Sequence, residues 1–351
     1  MGSPSKIKLA SRAYDGVLPI LRGQLGIPGF EFEIVETEDV PGMFSGMFRG
    51  QYDVSEMSLG ELIYYTSRNK ADFVAIPVFP SRVFRHGFIF IRKDSNINRP
   101  ADLNGKKIGF LRWVQTASIW MHGMLIDEYG VSAKETEWYV ASMHHWDEHD
   151  RGATIEPREG SMIRLMQNRG RNTSERACRA LFDGEVDALG VTESQLTTLL
   201  ADDSVGKLFE NSHEVEASYF RKTKILPIMH VMAMQKRLVK NFPELPEKLF
   251  RLYAEAKRWA QHWRSPVSSR PGPIIILRTN SKSFRPIPGP TGWKLTGMCS
   301  TSFSSTATPR ALRRGASLLK KFFIQAHSSW PSNIRSSSKG VSYGDGDRDG
   351  K

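Results

Sequence analysis

Five short segments of the chain carry side chains able to bind an anion, move a proton or hold a metal. The first is Pro77-Val78-Phe79-Pro80-Ser81-Arg82-Val83-Phe84-Arg85-His86, which sets two arginines and a histidine after the apolar run Phe73 to Phe79. A run of that kind reads as a strand covered on both faces. The carboxyl ends of such strands are where open α/β sheets hold ligands. Guanidinium groups pair bidentately with carboxylates, so Arg82 and Arg85 suit a substrate bearing carboxylates; the bland alternative is a pair of surface charges on a connecting loop. Ser55-Glu56-Met57-Ser58 also ends a strand ahead of a helix. Its first N–H groups could receive an anion, or Ser58 could simply cap it. Pro227-Ile228-Met229-His230 places one histidine among apolar residues, a proton donor or a satisfied core histidine.

Two further segments read as unremarkable. His145 and His149, within His144-His145-Trp146-Asp147-Glu148-His149-Asp150, could share a metal if the segment were helical. The order is not His-Glu-x-x-His and no apolar stripe supports a helix, so the stretch Ser142 to Glu159 reads as a polar loop. Gly105-Lys106 lacks the glycine spacing of a phosphate loop and reads as a turn feeding a strand.

These segments sit in an alternation of strands and helices. Strands are expected at Ile7–Ala10, Phe30–Val35, Tyr52–Ser55, Phe73–Phe79, Phe88–Ile91, around Ile108 and at Val186–Leu189, and Ile225–Met234 is a further apolar run. Helices are expected at Val17–Leu25, Pro41–Arg49, Leu59–Arg68, Thr116–Tyr129, Ser174–Asp183 and Pro243–Trp263, the last with Leu249, Leu252, Tyr253, Ala256 and Ala260 on one stripe. Such alternation predicts α/β lobes with parallel sheets and right-handed crossovers.

Charge divides the chain sharply. Its 351 residues are 25% charged and 40% apolar, globular in composition, with a formal net charge of +12. Residues 1–263 hold 34 Lys+Arg and 34 Asp+Glu, so the excess belongs wholly to residues 264–351, where 15 basic residues face three aspartates. The neutral body is not expected to bind nucleic acid. Residues 264–351 are Pro/Ser/Arg-rich and read as a disordered basic tail or the product of a shifted reading frame, with a single basic helix conceivable at Ala311–Gln325. No window approaches the roughly 18 apolar residues of a membrane span. The start Met1-Gly2-Ser3-Pro4-Ser5-Lys6 has no basic and apolar leader, and the expected location is the cytoplasm. Cys178 and Cys299 are too few and too isolated for a disulfide framework or a cysteine-rich metal site.

Several blocks together resemble the 4,5-dihydroxyphthalate decarboxylase family: Asp53–Ser58, Val74–His86, Asp102–Gly109, Thr116–Trp120 and Ile225–His230. They occur in the family's order across Ile7 to Trp263; the block ending at His86 is specific, while Asp102–Gly109 is common to substrate-binding proteins. The resemblance implies a two-lobed type 2 periplasmic-binding-protein-like fold with a ligand cleft between the lobes. Lobe 1 would comprise residues 1–87 and 215–263, and lobe 2 residues 88–214. It also implies non-oxidative loss of CO2 from a hydroxylated aromatic carboxylate, or ligand binding without chemistry on the same fold. No redox cofactor and no metal are expected. Expected catalytic residues are His230 or His86 for proton transfer and Glu56 at a ring hydroxyl. Arg82, Arg85, Ser81, Ser58, Tyr14, Thr116 and Trp120 would contact the substrate, a small aromatic carboxylate. The oligomeric state is open, a homo-oligomer included. A pyrimidine-synthesis relative is disfavoured because its cysteine-rich motif is missing.

Overall fold

A computed structural model describes residues 4–142, 163–167 and 170–264. The chain first lays down β1 (Ser5–Ser11), β2 (Phe30–Glu36), β3 (Val54–Ser58) and β4 (Phe73–Ile76). It then crosses to a second sheet for β5 (Ile89–Arg92), β6 (Lys107–Phe110), β7 (Glu137–Val140), β8 (Ile163–Leu165), β9 (Ala188–Gly190) and β10 (Val205–Lys207), and returns as β11 (His230–Gln235). The sheet orders are β2-β1-β3-β11-β4 and β10-β5-β9-β6-β7-β8.

The expectation of purely parallel sheets is corrected. β2, β1 and β3 run parallel, but β11 is antiparallel to both β3 and β4. β6 is parallel to β7 and β9, whereas β5 is antiparallel to β9 and β10. Both β5 and β11 are the first strands after a crossing. Each enters its sheet at the edge where the parallel strands end, and so must run the opposite way. The outgoing and returning crossings pair with each other: Arg82 and Ile228 form an antiparallel bridge, Val83 N–H donates to the Pro227 carbonyl at 3.0 Å, and Met229 N–H donates to the Ser81 carbonyl at 2.9 Å.

Helices cover both sheets. In the first, α1 (Leu18–Leu21) is far shorter than Val17–Leu25, because Gly23 turns the chain at φ +67°. α2 (Val40–Phe48) begins with Asp39 accepting from Gly42 N–H, and α3 (Leu59–Ser67) follows β3 without an intervening loop. In the second sheet, α4 (Thr116–Tyr129) ends where Gly130 adopts φ +71° and its N–H reaches the Leu125 carbonyl. α5 (Thr173–Phe182), α6 (Glu193–Leu200) and α7 (Ser212–Thr223) complete that region, before α8 (Lys236–Asn241) and α9 (Leu245–Arg264) return to the first sheet.

The predicted stripe of α9 is the part that packs: Leu249, Leu252, Tyr253, Ala256 and Ala260 are buried, the first four against Ile7, Leu9, Ile20 and Met234. Burying a leucine of this kind contributes about 1.5–3 kcal/mol. The second sheet has its own core around Phe110, Met121, Trp138 and Ala188. The His144–Asp150 segment, Cys299, the expected helix at Ala311–Gln325 and the rest of the basic tail from residue 265 onward lie outside the described residues.

Candidate functional site

β3 and β11 set the centre of the site. Met232 lies opposite Glu56 and His230 opposite Ser58, so Glu56 and His230 are diagonal neighbours with side chains on one face of the sheet. His230 Nδ1 lies 3.1 Å from Glu56 Oε2. Glu56 is fully buried, which a carboxylate tolerates only when its oxygens are satisfied. The loop at the end of β1 does this: Ser11 Oγ donates to Oε1 at 2.6 Å, Arg12 N–H to Oε1 at 2.7 Å, and the Tyr14 hydroxyl to Oε2 at 3.2 Å. A carboxylate can only accept, so the consistent histidine tautomer carries its proton on Nδ1 and turns Nε2 over to chemistry. The edge of Phe44 packs on the imidazole with centroids 5.1 Å apart.

The crossing segment ties into the same cluster. The Ser81 carbonyl accepts from the N–H groups of Met229 and His230, while its hydroxyl hydrogen-bonds the Tyr14 phenol. Burial, and then the charge of Glu56, push the Tyr14 phenol well above its ordinary range. It therefore serves as a hydrogen-bond donor. Tyr253 of α9 also feels Glu56 and is raised chiefly by burial; its hydroxyl has no hydrogen-bond partner among the described residues.

The two arginines part company. Arg85 is buried, its Nε donating to Met229 Sδ at 3.0 Å and Nη1 reaching Glu193 Oε1 at 3.2 Å. Burial lowers its pKa and the Glu193 carboxylate opposes that; a guanidinium stays charged regardless. Its contact with Met229, the residue before His230, places Arg85 beside the start of β11. Arg82 is exposed, its backbone bridged to Ile228 and its guanidinium 5.9 Å from the Phe79 ring centroid.

His86 is placed elsewhere. It is 1% exposed, ringed edge-to-face by Tyr129, Phe209 and Tyr219, and neither nitrogen has a hydrogen-bond partner among the described residues. Burial pushes its pKa down to about 4. None of these neighbours belongs to the Glu56 cluster, and the histidine is held neutral.

The start of α3 is closed by the protein itself. Ser58 makes no capping hydrogen bond; its hydroxyl meets Thr116 Oγ1 at 2.8 Å, and that oxygen accepts from Gly60 N–H at 2.9 Å. Leu59 N–H donates to the Met229 carbonyl at 3.2 Å. The expected anion seat at this helix end thus has two of its first amides occupied. Gly60 is required there, since a Cβ would come within 2.7 Å of the Val114 carbonyl. Trp120 Nε1 donates to the Ile228 carbonyl at 3.0 Å, pinning α4 to the returning crossing. Ser58, Thr116 and Trp120 all join the two sheets.

The site also contains residues that the sequence motifs did not flag. Ser11 and Arg12 surround Glu56 and Glu193 meets Arg85; outside the cluster, Arg112, just past β6, interacts electrostatically with buried Glu61 of α3. Each follows or faces the carboxyl end of a strand, the one signal that could have found them. Among the described residues, no three His, Cys, Asp or Glu side chains gather as metal ligands, and no helix is long and apolar enough to cross a membrane. Cys178 is buried, which pushes its thiol up to about 11 and leaves it unreactive.

Comparison with known proteins gives three results. Residues 8–233 match the model of the family described as ABC transporter, phosphonate, periplasmic substrate-binding protein. A 4,5-dihydroxyphthalate decarboxylase of Comamonas testosteroni is 28% identical over 292 residues, 83% of this chain and 86% of that protein. One of Pseudomonas putida is 35% identical over 133 residues, 38% of this chain and 51% of that protein. Among solved structures, the periplasmic aliphatic sulphonate binding protein SsuA of Escherichia coli is similar at 14% identity, covering 75% of this chain and 76% of its own, with a TM-score of 0.46.

Proposed function

The chain belongs to the family described as ABC transporter, phosphonate, periplasmic substrate-binding protein, and on that premise we propose that it is a carboxy-lyase built on a binding-protein frame. Its two-sheet α/β fold is the periplasmic-binding-protein fold. The reaction is non-oxidative removal of CO2 from a hydroxylated aromatic carboxylate of the 4,5-dihydroxyphthalate type. The named decarboxylases of Comamonas testosteroni and Pseudomonas putida support the substrate class. The observation that carries the reading is the Glu56–His230 pair. Holding an anion needs cations and amides; it does not need a histidine oriented by a buried carboxylate. Proton transfer does.

In this account a ring hydroxyl para to the departing carboxylate pushes electron density onto the carboxylated carbon. His230 Nε2 delivers a proton to that carbon. The carbon–carboxylate bond then breaks, its electron pair restores the aromatic ring, and CO2 leaves; His230 regains its proton from water. Glu56 accepts the Nδ1 proton and stabilises the imidazolium, the form that carries a second proton on Nε2 and donates it, a positioning role behind the histidine. The earlier expectation that Glu56 touches a ring hydroxyl fits less well, because four protein donors already fill its oxygens. Arg85 pairs with a substrate carboxylate, and Tyr14 and Ser81 stand beside the Glu56–His230 pair. The chemistry runs without redox change.

The second reading is a receptor for aromatic carboxylates without turnover, favoured by the family match itself. Incubating the purified full chain with 4,5-dihydroxyphthalate while following CO2 and, by calorimetry, binding separates the two. Release of CO2 with formation of 3,4-dihydroxybenzoate supports the lyase; binding with no CO2 leaves the receptor.

A further inference from the structure

Arg85 is a cation held in an unfinished state. Its side chain is only 4% exposed, whereas that of its carboxylate partner Glu193 is 54% exposed. The pairing is single-pronged, Nη1 to Oε1 at 3.2 Å, although a guanidinium can offer a carboxylate two parallel donors. Nε points at the thioether of Met229, a weak acceptor. The Phe88 ring lies 4.7 Å from the guanidinium carbon, and Glu216, which accepts from Gly87 N–H, acts on Arg85 electrostatically without a hydrogen bond to it. The asymmetry in exposure matters. Glu193 can turn into water at little cost, while Arg85 cannot follow it.

We propose that Glu193 is a resident carboxylate that occupies Arg85 in the empty protein and must yield it to the carboxylate of the ligand, so that Glu193 sets the affinity for aromatic carboxylates. The inference rests on the proposed role of Arg85 in substrate binding. Burial pulls the Arg85 pKa down and Glu193 opposes that fall, as expected of a guanidinium that needs an anion at all times. The exchange keeps one hydrogen-bonded carboxylate on Arg85 before and after binding, with Glu216 acting on it in both states. A neutral ligand, or one with its carboxyl esterified, has no such exchange to offer.

Glu193 is free to move because it does not hold α6 together. The helix begins on Thr192, whose N–H donates to Gln195 Oε1 at 3.1 Å and whose hydroxyl reaches the same oxygen at 3.0 Å. Gln195 Nε2 then donates to Ser174 of α5 at 2.7 Å. Replacing Glu193 therefore leaves the start of the helix intact.

The test is calorimetric titration of the full chain with phthalate and with 4,5-dihydroxyphthalate, using wild type, Glu193→Gln, Arg85→Gln and the double variant. Glu193→Gln should bind about tenfold tighter, the order expected when one charge-assisted hydrogen bond no longer has to be broken. Arg85→Gln should bind at least tenfold more weakly, and adding Glu193→Gln to it should change nothing more. Equal or weaker binding by Glu193→Gln, with wild type still binding, overturns the proposal and spares the functional reading. The same gain in both arginine backgrounds overturns it too, since the effect would then not pass through Arg85. Failure of every variant to bind either ligand removes both the proposal and the functional reading.

Discussion

His230 and Glu56 sit two residues out of register on neighbouring antiparallel strands, and their side chains close to 3.1 Å across that diagonal. The pairing exists only because β11 re-enters the first sheet backwards, between β3 and β4. A parallel β11 would begin at the opposite end of the sheet and carry His230 away from Ser58. Topology, rather than any local motif, brings Glu56 and His230 together.

Glu56→Gln keeps the shape of the side chain and removes its charge. Its new NH2 group must face donors already aimed at the carboxylate. Turnover is expected to fall by about 10²-fold or more, the size of a general acid–base contribution, while the KM for the carboxylate substrate changes little. Buried donors left unpaired also cost about 1–3 kcal/mol, which a lower thermal midpoint would register. An unaltered kcat would remove Glu56 from the mechanism.

His86 makes stability depend on pH in a defined direction. Its folded pKa of about 4 lies below the ordinary 6.5, so between those values the unfolded chain binds a proton that the folded chain refuses. Stability is complete above the upper value, declines as pH falls through the window, and levels off below pH 4. The gap corresponds to about 3 kcal/mol. His86→Phe should flatten that part of the curve in denaturant unfolding measured across pH. A variant curve parallel to wild type would contradict the assignment.

Thr116 is a junction between the two sheets. Thr116→Val leaves the Ser58 hydroxyl and the Gly60 N–H buried without their partner, and should cost about 2 kcal/mol, or roughly 5 °C in Tm. Thr116→Ser keeps the oxygen and should restore most of the loss. If serine is no better than valine, the hydroxyl junction is not what stabilises this region.

Tyr253 offers the opposite case. Its hydroxyl is buried with no partner among the described residues, so Tyr253→Phe removes a desolvated polar group at almost constant volume. The expected change is neutral to stabilising by about 1 kcal/mol, read as an unchanged or raised denaturation midpoint. A marked loss would mean that the hydroxyl is bonded in solution.

The sequence disclosed elements more readily than arrangement. Thr116–Tyr129 carries Trp120, Met124 and Leu125 and is stopped by Gly130, and its bounds were readable to the residue. The stripe of α9 was equally plain because a long helix repeats its signal. β8, β10 and α6 span only three, three and eight residues, too short for a period to emerge. Orientation left no local trace, since β11 reads the same forwards or backwards. For the site, Glu56, His230, Ser81 and Arg85 are polar residues beside strand ends, while Tyr14 came only with the family resemblance. Tyr14, Ser81, Glu56 and His230 are linked by hydrogen bonds, and Arg85 reaches Met229 and Glu193 instead. Ser11 and Glu193 did not stand out, because a serine closing a strand and a glutamate opening a helix look ordinary until the far side of the molecule reaches them. His86 shows the converse: an apolar box around a neutral ring is invisible in a motif that also contains two arginines.

Turnover of 4,5-dihydroxyphthalate in D2O, by wild type and by His230→Asn, bears most directly on the central claim. Wild type should release one CO2 per substrate and place one deuterium on the ring carbon that lost it. His230→Asn should still bind the substrate but turn over at least about 10²-fold more slowly. Equal rates for the two proteins, or binding by wild type without any CO2, would contradict the account.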